Sequence, residues 1–224
     1  MSDYIKRLIS EGEHQMLDFK FEISDFRKIA RTLVAFANTD GGRLLVGVKD
    51  NGSIAGIRTD EEYFMVEGAS RLYCKPEIML KIRQWEVDGK IVLEVIIQPG
   101  SEKPYLAKDE YDQWLAYVRQ RDENFKASPV TIKVWEREKS GEGAYIKFGH
   151  SERIILGYLN SNPWITLSKF RKLAGIGRER AENVIVNFIM LKILEHEYIE
   201  QDIIYRLRTG YEKILEGIEG NLYI

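Results

Sequence analysis

FANTDGGRLLVGVKDNG, Phe36 to Gly52, reads as the end of a helix, a tight turn, a buried strand and a second turn. Upstream, Ser24 is a candidate N-cap, and Ile29, Ala30, Leu33, Val34 and Ala37 recur at helical spacing, which predicts a helix over 24–38. Asn38-Thr39-Asp40 loses the period, and Gly41-Gly42 permits the positive φ that stops a helix sharply. Leu44 to Val48 is a short apolar run, the pattern of a strand covered on both faces, and Asp50-Asn51-Gly52 closes it as a turn.

Working outward, residues 3–10 predict a short amphipathic helix and 15–21 a strand carrying Asp18 and Lys20. Residues 59–73 predict a second long helix, and 78–85 with 90–97 flank Asp88-Gly89 as a hairpin. A last strand is expected over 113–119. Hairpin-paired strands alternating with helices indicate an α+β fold with a mixed sheet. The charged, aperiodic stretch EREKSGEG, 136–143, predicts a linker, so the expected division is 1–135, 144–210 and a tail over 211–224. After the linker come helices at 151–160, 166–173 and 178–191, the last preceded by a Gly-Ile-Gly turn, then paired strands at 194–199 and 203–207. That is the element order of a winged helix-turn-helix.

Composition narrows the classes. The 224 residues suffice for two small domains, with an ordinary hydrophobic share of 44%. No apolar run approaches the ~20 residues that span a bilayer, and MSDYIKRLIS lacks the apolar core of a signal peptide. Cys74 is the single cysteine, which excludes an intrachain disulfide and a thiolate zinc site. A cytoplasmic protein without membrane or cofactor is expected. The net charge of -2, with acids outnumbering bases over residues 1–130, does not advertise an extended phosphate-binding surface, so cations must cluster locally if nucleic acid is the partner. No Gly-x-x-x-x-Gly-Lys-Ser/Thr loop is present, and His14, His150 and His196 lack ligand spacing.

EGEHQMLDFK followed by FANTDGGRLLVGVKDNGSIAGI, with a weaker continuation through KPYL and AYVRQRDENFKAS, resembles the Schlafen-type AlbA-like domain over roughly the first 130 residues. The resemblance implies a nucleic-acid-binding domain of the kind found in bacterial regulators. In eukaryotic Schlafen relatives this domain carries an acidic trio that supports metal-dependent RNA cleavage, and the matching positions are Glu13, Asp18 and Asp50. Such carboxylates can hold Mg²⁺ or Mn²⁺, although Asp18 stands where the nuclease relatives have Glu. The alternative is structural: Glu13 in a turn, Asp18 paired with Lys20 or Arg43, Asp50 in an Asx turn. Glu13 and Asp18 converge only if Glu13 lies in a turn before the strand, which Gly12 allows.

Candidate nucleic-acid contacts fall in two groups. Lys20 and Arg43, with Lys49 nearby, form either a basic patch or ordinary ion pairs, and Arg119 either binds phosphate bidentately or pairs with a buried carboxylate. Asn38-Thr39-Asp40 is either a polar binding loop or a helix cap. The clearer contrast is C-terminal: Lys169, Arg171, Lys172, Arg178 and Arg180 stand against one acid, Glu179. Arg180, Asn183 and Asn187 share a face of the third helix away from its apolar stripe, and Arg and Asn suit guanine and adenine edges in the major groove. The expected function is nucleic-acid binding, DNA in preference to RNA, in transcriptional regulation, with a homodimer compatible with it. The rivals are a metal-dependent nuclease and a protein-interaction module.

Overall fold

The computed structural model describes residues 2–145, 147–200 and 202–210; the expected tail, 211–224, lies outside them. Two compact units divide at Ala127 and Ser128. The first contains α1 (Ser2–Glu11), β1 (Leu17–Lys20), α2 (Phe26–Asn38), β2 (Gly42–Val46), α3 (Glu61–Tyr73), β3 (Cys74–Lys75), β4 (Leu80–Val87), β5 (Lys90–Ile97), β6 (Leu106–Lys108), β7 (Trp114–Gln120) and β8 (Glu123–Lys126). The second contains α4 (Pro129–Ser140), α5 (His150–Ser161), β9 (Ile165–Thr166), α6 (Leu167–Ala174), α7 (Arg178–Met190), β10 (Leu194–Ile199) and β11 (Asp202–Leu207). Among the described residues no helix is long and apolar enough to cross a membrane.

The first unit is the expected α+β fold with a mixed sheet. Its main sheet has the order β1-β2-β5-β4, with β1 parallel to β2 and the remaining pairs antiparallel. A second sheet runs β3-β6-β7-β8. The apolar run in β2 serves both faces. Leu44 and Val46 enter the core beneath α2 and α3, whereas Leu45 and, just beyond, Val48 pack with Ile5 and Leu8 of α1. From Thr32 onward every residue of α2 is buried, because this half of the helix is packed against the core on all sides. Its first turns carry Arg27, Lys28 and Arg31 toward solvent. The helix is capped by Asp25, not Ser24: the Asp25 carboxylate accepts from the Arg27 and Lys28 amides, because a residue one step later is in extended geometry and in reach of both.

The second unit begins earlier than expected. The stretch expected as a linker is helical through Ser140, and Gly141 ends α4 in a left-handed conformation. Ser128 caps α4 by accepting from the Thr131 amide, and Pro129 fits the first helical turn, where no amide donor is needed. Val130 and Val134 supply the apolar face that makes α4 part of the second core. That core also takes Ile155, Phe170, Ile185, Phe188 and Tyr205. A buried polar chain ties the start of α4 to the hairpin: the Tyr198 hydroxyl accepts from the Ser128 amide and lies 2.8 Å from the Thr131 hydroxyl. The three strands pair antiparallel in the order β10-β11-β9.

The α2–β2 turn requires its glycines. Gly41 has φ +70°, and a Cβ there would lie 2.6 Å from the Ile97 carbonyl oxygen; a Cβ on Gly42 would enter the Phe36 ring. Gly41→Val therefore combines left-handed strain with a clash against backbone, and is expected to lower unfolding free energy by at least about 2 kcal/mol. Urea denaturation monitored by circular dichroism checks this; an unchanged midpoint would refute the assignment.

Candidate nucleic-acid interface

In the first unit the expected contacts turn inward. Gly12, at φ +72°, turns the chain after α1, so Glu13 lies in a bend ahead of β1 and reaches back to it. The Phe19 amide donates to Glu13 Oε1 at 2.8 Å. Glu13 and Asp18 converge as the turn geometry allows: burial first, then the neighbouring Asp18 carboxyl, hold the Glu13 acid above the usual carboxylate range, against the opposing pull of the Phe19 amide and Lys20.

Asp18 is buried, and its two oxygens face two cations. Arg119 Nη2 donates to Oδ1 at 3.2 Å, and Lys20 Nζ stands 2.7 Å from Oδ2. The Lys20 contact is an ion pair without hydrogen-bond alignment, since Oδ2 has no aligned hydrogen-bond donor. Arg119 has a fully buried side chain that also donates to the His14 and Leu17 carbonyls and to Asn124 Oδ1, and its guanidinium lies 4.7 Å from the Phe36 ring centre. The phosphate-binding reading of Arg119 is therefore corrected: its donors are engaged and out of reach of a ligand. Lys20 keeps partial exposure but is committed to Asp18 and the Phe19 carbonyl.

Arg43 is likewise held, by Glu94 at 3.1 Å. Glu94 is wholly buried and also accepts from Tyr4 and from the Trp85 indole, a hub that pins α1 to the sheet. The sequence signal for this hub is a single acid inside the apolar strand KIVLEVII; its three partners do not show, because two of them are remote in sequence and none shares a motif with it. Lys49 rests over Phe21, so the expected basic patch does not form as such. The Asn38-Thr39-Asp40 turn is structural: Asn38 bonds the backbones of Tyr105 and Tyr117, Thr39 bonds the Ala35 carbonyl, and Asp40 accepts from Gln15.

The acidic trio does not fit a divalent metal. Asp18 is neutralised by Arg119 and Lys20, Asp50 sits on the exposed turn after β2, and among the described residues no group of three His, Cys, Asp or Glu could hold an ion. No step through Mg²⁺ or Mn²⁺ follows from this geometry.

The second unit presents its cations outward. Thr166 caps α6 by accepting from the Lys169 amide, and Lys169, Arg171 and Lys172 are exposed along it, with Lys169 over the Tyr158 ring. On α7 the buried residues Ala181, Val184, Ile185 and Phe188 define the inner stripe, leaving Glu179, Arg180 and the half-exposed Asn183 on the outer arc. Arg178 is anchored one turn along by Glu182 at 2.8 Å and keeps its outer edge in solvent. Burial pushes the Glu182 acid upward, but bonds from Lys133 and Arg178 outweigh it and hold this carboxyl below its usual range. Asn187 is corrected from the base-reading set to a helix-packing role: Arg137 of α4 donates to its amide oxygen at 2.5 Å. Sequence reasoning misses Lys133, Arg137 and Glu182 because it places no helix at α4 for them to join.

Two outcomes follow. Asp18→Ala leaves Arg119 buried without its counter-charge and is expected to cost about 3–5 kcal/mol, measured by urea denaturation. Glu13→Gln removes a carboxyl whose folded pKa lies above its unfolded one. The parent therefore carries a penalty that is fully present above the folded pKa and disappears as pH falls through it. The variant should be the more stable at pH 7, with the difference gone below about pH 4. Equal midpoints at pH 7 would refute the burial argument.

The Schlafen, AlbA_2 family profile matches residues 13–128, just over half of the chain. No curated protein matches. Among solved structures, the DIP2311 protein from Corynebacterium diphtheriae is 21% identical, covering 65% of this chain and 33% of its own, with a TM-score of 0.42. The chain thus spans about a third of that protein. The N-terminal domain of a protein related to the ATP-dependent DNA helicase RecG, from Nitrosomonas europaea, is 22% identical, covering 57% of this chain and 91% of its own, with a TM-score of 0.41. On the strength of the profile match, the chain belongs to the Schlafen, AlbA_2 family.

Proposed function

We propose that the protein binds nucleic acid, DNA in preference to RNA, as a cytoplasmic transcriptional regulator whose second unit works as a winged helix with α7 entering the major groove. The observation that carries this reading is the set of exposed cations on two consecutive helices, Lys169, Arg171 and Lys172 on α6 and Arg180 on α7, with Asn183 on the same outer arc of α7, which makes no side-chain hydrogen bond among the described residues. Cations on α6 and at the start of α7 suit phosphates flanking a groove, and the amide of half-exposed Asn183 suits a base edge. The order helix, short strand, helix, helix, hairpin supports the same assignment. Family membership of the first unit agrees with a nucleic-acid role. A homodimer would read two half-sites.

The hairpin does not share in the phosphate contact. Glu195 and Glu197 hold Arg206, and Glu200 and Asp202 flank its tip, so the hairpin presents acid, which phosphates repel. Within the second unit, affinity is therefore concentrated on α6 and α7.

The triple variant Arg171→Ala, Lys172→Ala, Arg180→Ala, titrated against duplex DNA by fluorescence anisotropy, should bind about 10–100-fold more weakly at about 100 mM salt, with a log–log salt slope shallower by about two to three units. Asn183→Ala should reduce discrimination between duplex sequences by about tenfold or more with the salt slope unchanged. Unaltered affinity and slope in the triple variant would refute the reading. Absence of any nucleic-acid binding by the parent would favour a protein-interaction module.

A further inference from the structure

Every arginine of the first unit that is not exposed, Arg31 excepted, has an oxygen partner. Arg27 donates to the Asp109 carbonyl at 3.0 Å and lies 3.6 Å from Asp112, Arg43 is paired with Glu94, and Arg119 with Asp18. Arg31 is half-buried on α2, its guanidinium 5.1 Å from the Tyr117 ring centre, and among the described residues it makes no hydrogen bond and no ion pair. Stacking on a ring restricts a guanidinium without using its donors, so the planar fork is pre-organised for an anion that the protein itself does not supply.

The surroundings of Arg31 are basic. Lys28 lies three residues earlier on the same helical face and is exposed. Lys126, also exposed, is the cross-strand partner of Tyr117, so it stands on the same face of the second sheet as the ring that Arg31 covers. Neither lysine has an ion-pair partner among the described residues. The acids nearby are engaged or turned away: Asp25 caps α2, and Asp112 is held by Lys108 at 3.0 Å and by Arg27. Glu123, three residues before Lys126 on β8, alternates onto the opposite face of the sheet. Asn124, on the shared face, is neutral and bonded to Thr32 and Arg119.

We propose that Arg31, Lys28 and Lys126 form a phosphate-binding site for the backbone of a nucleic-acid strand, a contact on the first unit separate from the α6–α7 face. The ligand chemistry follows from the donors: a planar fork and two flanking ammonium groups, without an aromatic face or amide free to read a base, suit successive phosphodiesters and not sequence. The contact adds affinity independent of base composition, and supplies the local concentration of cations that the acidic balance of the first unit would otherwise deny it. It rests on the reading that the protein binds nucleic acid, and adds where the first unit meets it.

The test uses the full chain, with duplex and single-stranded DNA of about 20 nucleotides titrated from about 50 to about 200 mM salt. Two variants are compared with the parent: Arg31→Gln, and Lys28→Gln with Lys126→Gln, the latter altering exposed side chains only. Urea midpoints verify that each is folded. Each variant should bind about 3–10-fold more weakly at about 100 mM salt on any sequence, with a salt slope shallower by about one unit for every phosphate no longer neutralised. These reductions should add to those of the α6–α7 triple variant, as for independent sites. Parental affinity and slope in both variants, while the triple variant binds more weakly, would overturn this site and leave the wider function intact. No binding by the parent at the lowest salt would overturn both.

Discussion

The buried pair Asp18–Arg119 is the constraint on which the first unit is organised. Such a pair contributes little net stability, because removing two charges from water offsets their attraction, but each member makes the other indispensable. Here the arginine also satisfies two carbonyls, those of His14 and Leu17, and the amide oxygen of Asn124. One guanidinium thus fixes the turn 13–16, strand β1 and strand β7 in a single arrangement. Gln15 completes it, bonding Asp40 on one side and the backbone of Arg119 and Arg121 on the other. Polar bonds from β7 to β1 and the turn before it thus link the two sheets, alongside the apolar core around α2.

That arrangement decides which charges remain for a ligand. The acids and bases whose pattern points to chemistry, Glu13, Asp18, Lys20, Arg43 and Arg119, compensate one another or meet a buried partner inside or at the margin of the first unit. The cations proposed to meet a ligand are among those that packing does not absorb, on the outer turns of α2, on the edge strand β8, and on the arc of α6 and α7 opposite the second core. A chain of net charge -2 can thereby carry two local cationic surfaces.

The parts legible in the sequence are those governed by local pattern. The helix over 26–38, the Gly-Gly turn, the doubly covered strand β2, the Asp88-Gly89 hairpin and the α5-to-β11 order all follow from periodicity and turn chemistry within a few residues. The short strands β3, β6 and β8 are not legible, because two to four residues do not establish a period. The second half of α4, WEREKS, is charged and so resembles a linker; the apolar face that makes it helical lies earlier, in Val130 and Val134. The side-chain roles that differ from expectation share one cause. Arg119, Arg43 and Asn187 look available in one dimension, and each meets its partner from about 50 to more than 100 residues away.

The distance spanned by Arg119 has a consequence for the order in which the protein can take shape during its synthesis. The carbonyl of His14 and the guanidinium that binds it are separated by 105 residues. At about 5–20 residues per second, a ribosome releases Asp18 roughly 5–20 s before the arginine that neutralises it. Through that interval Asp18 lacks the buried guanidinium that neutralises it, although β2 and β5, which complete the sheet around β1, have already been made by its end. The second unit is encoded entirely beyond that point, so the unit that needs the longest reach is completed only as the other begins to emerge.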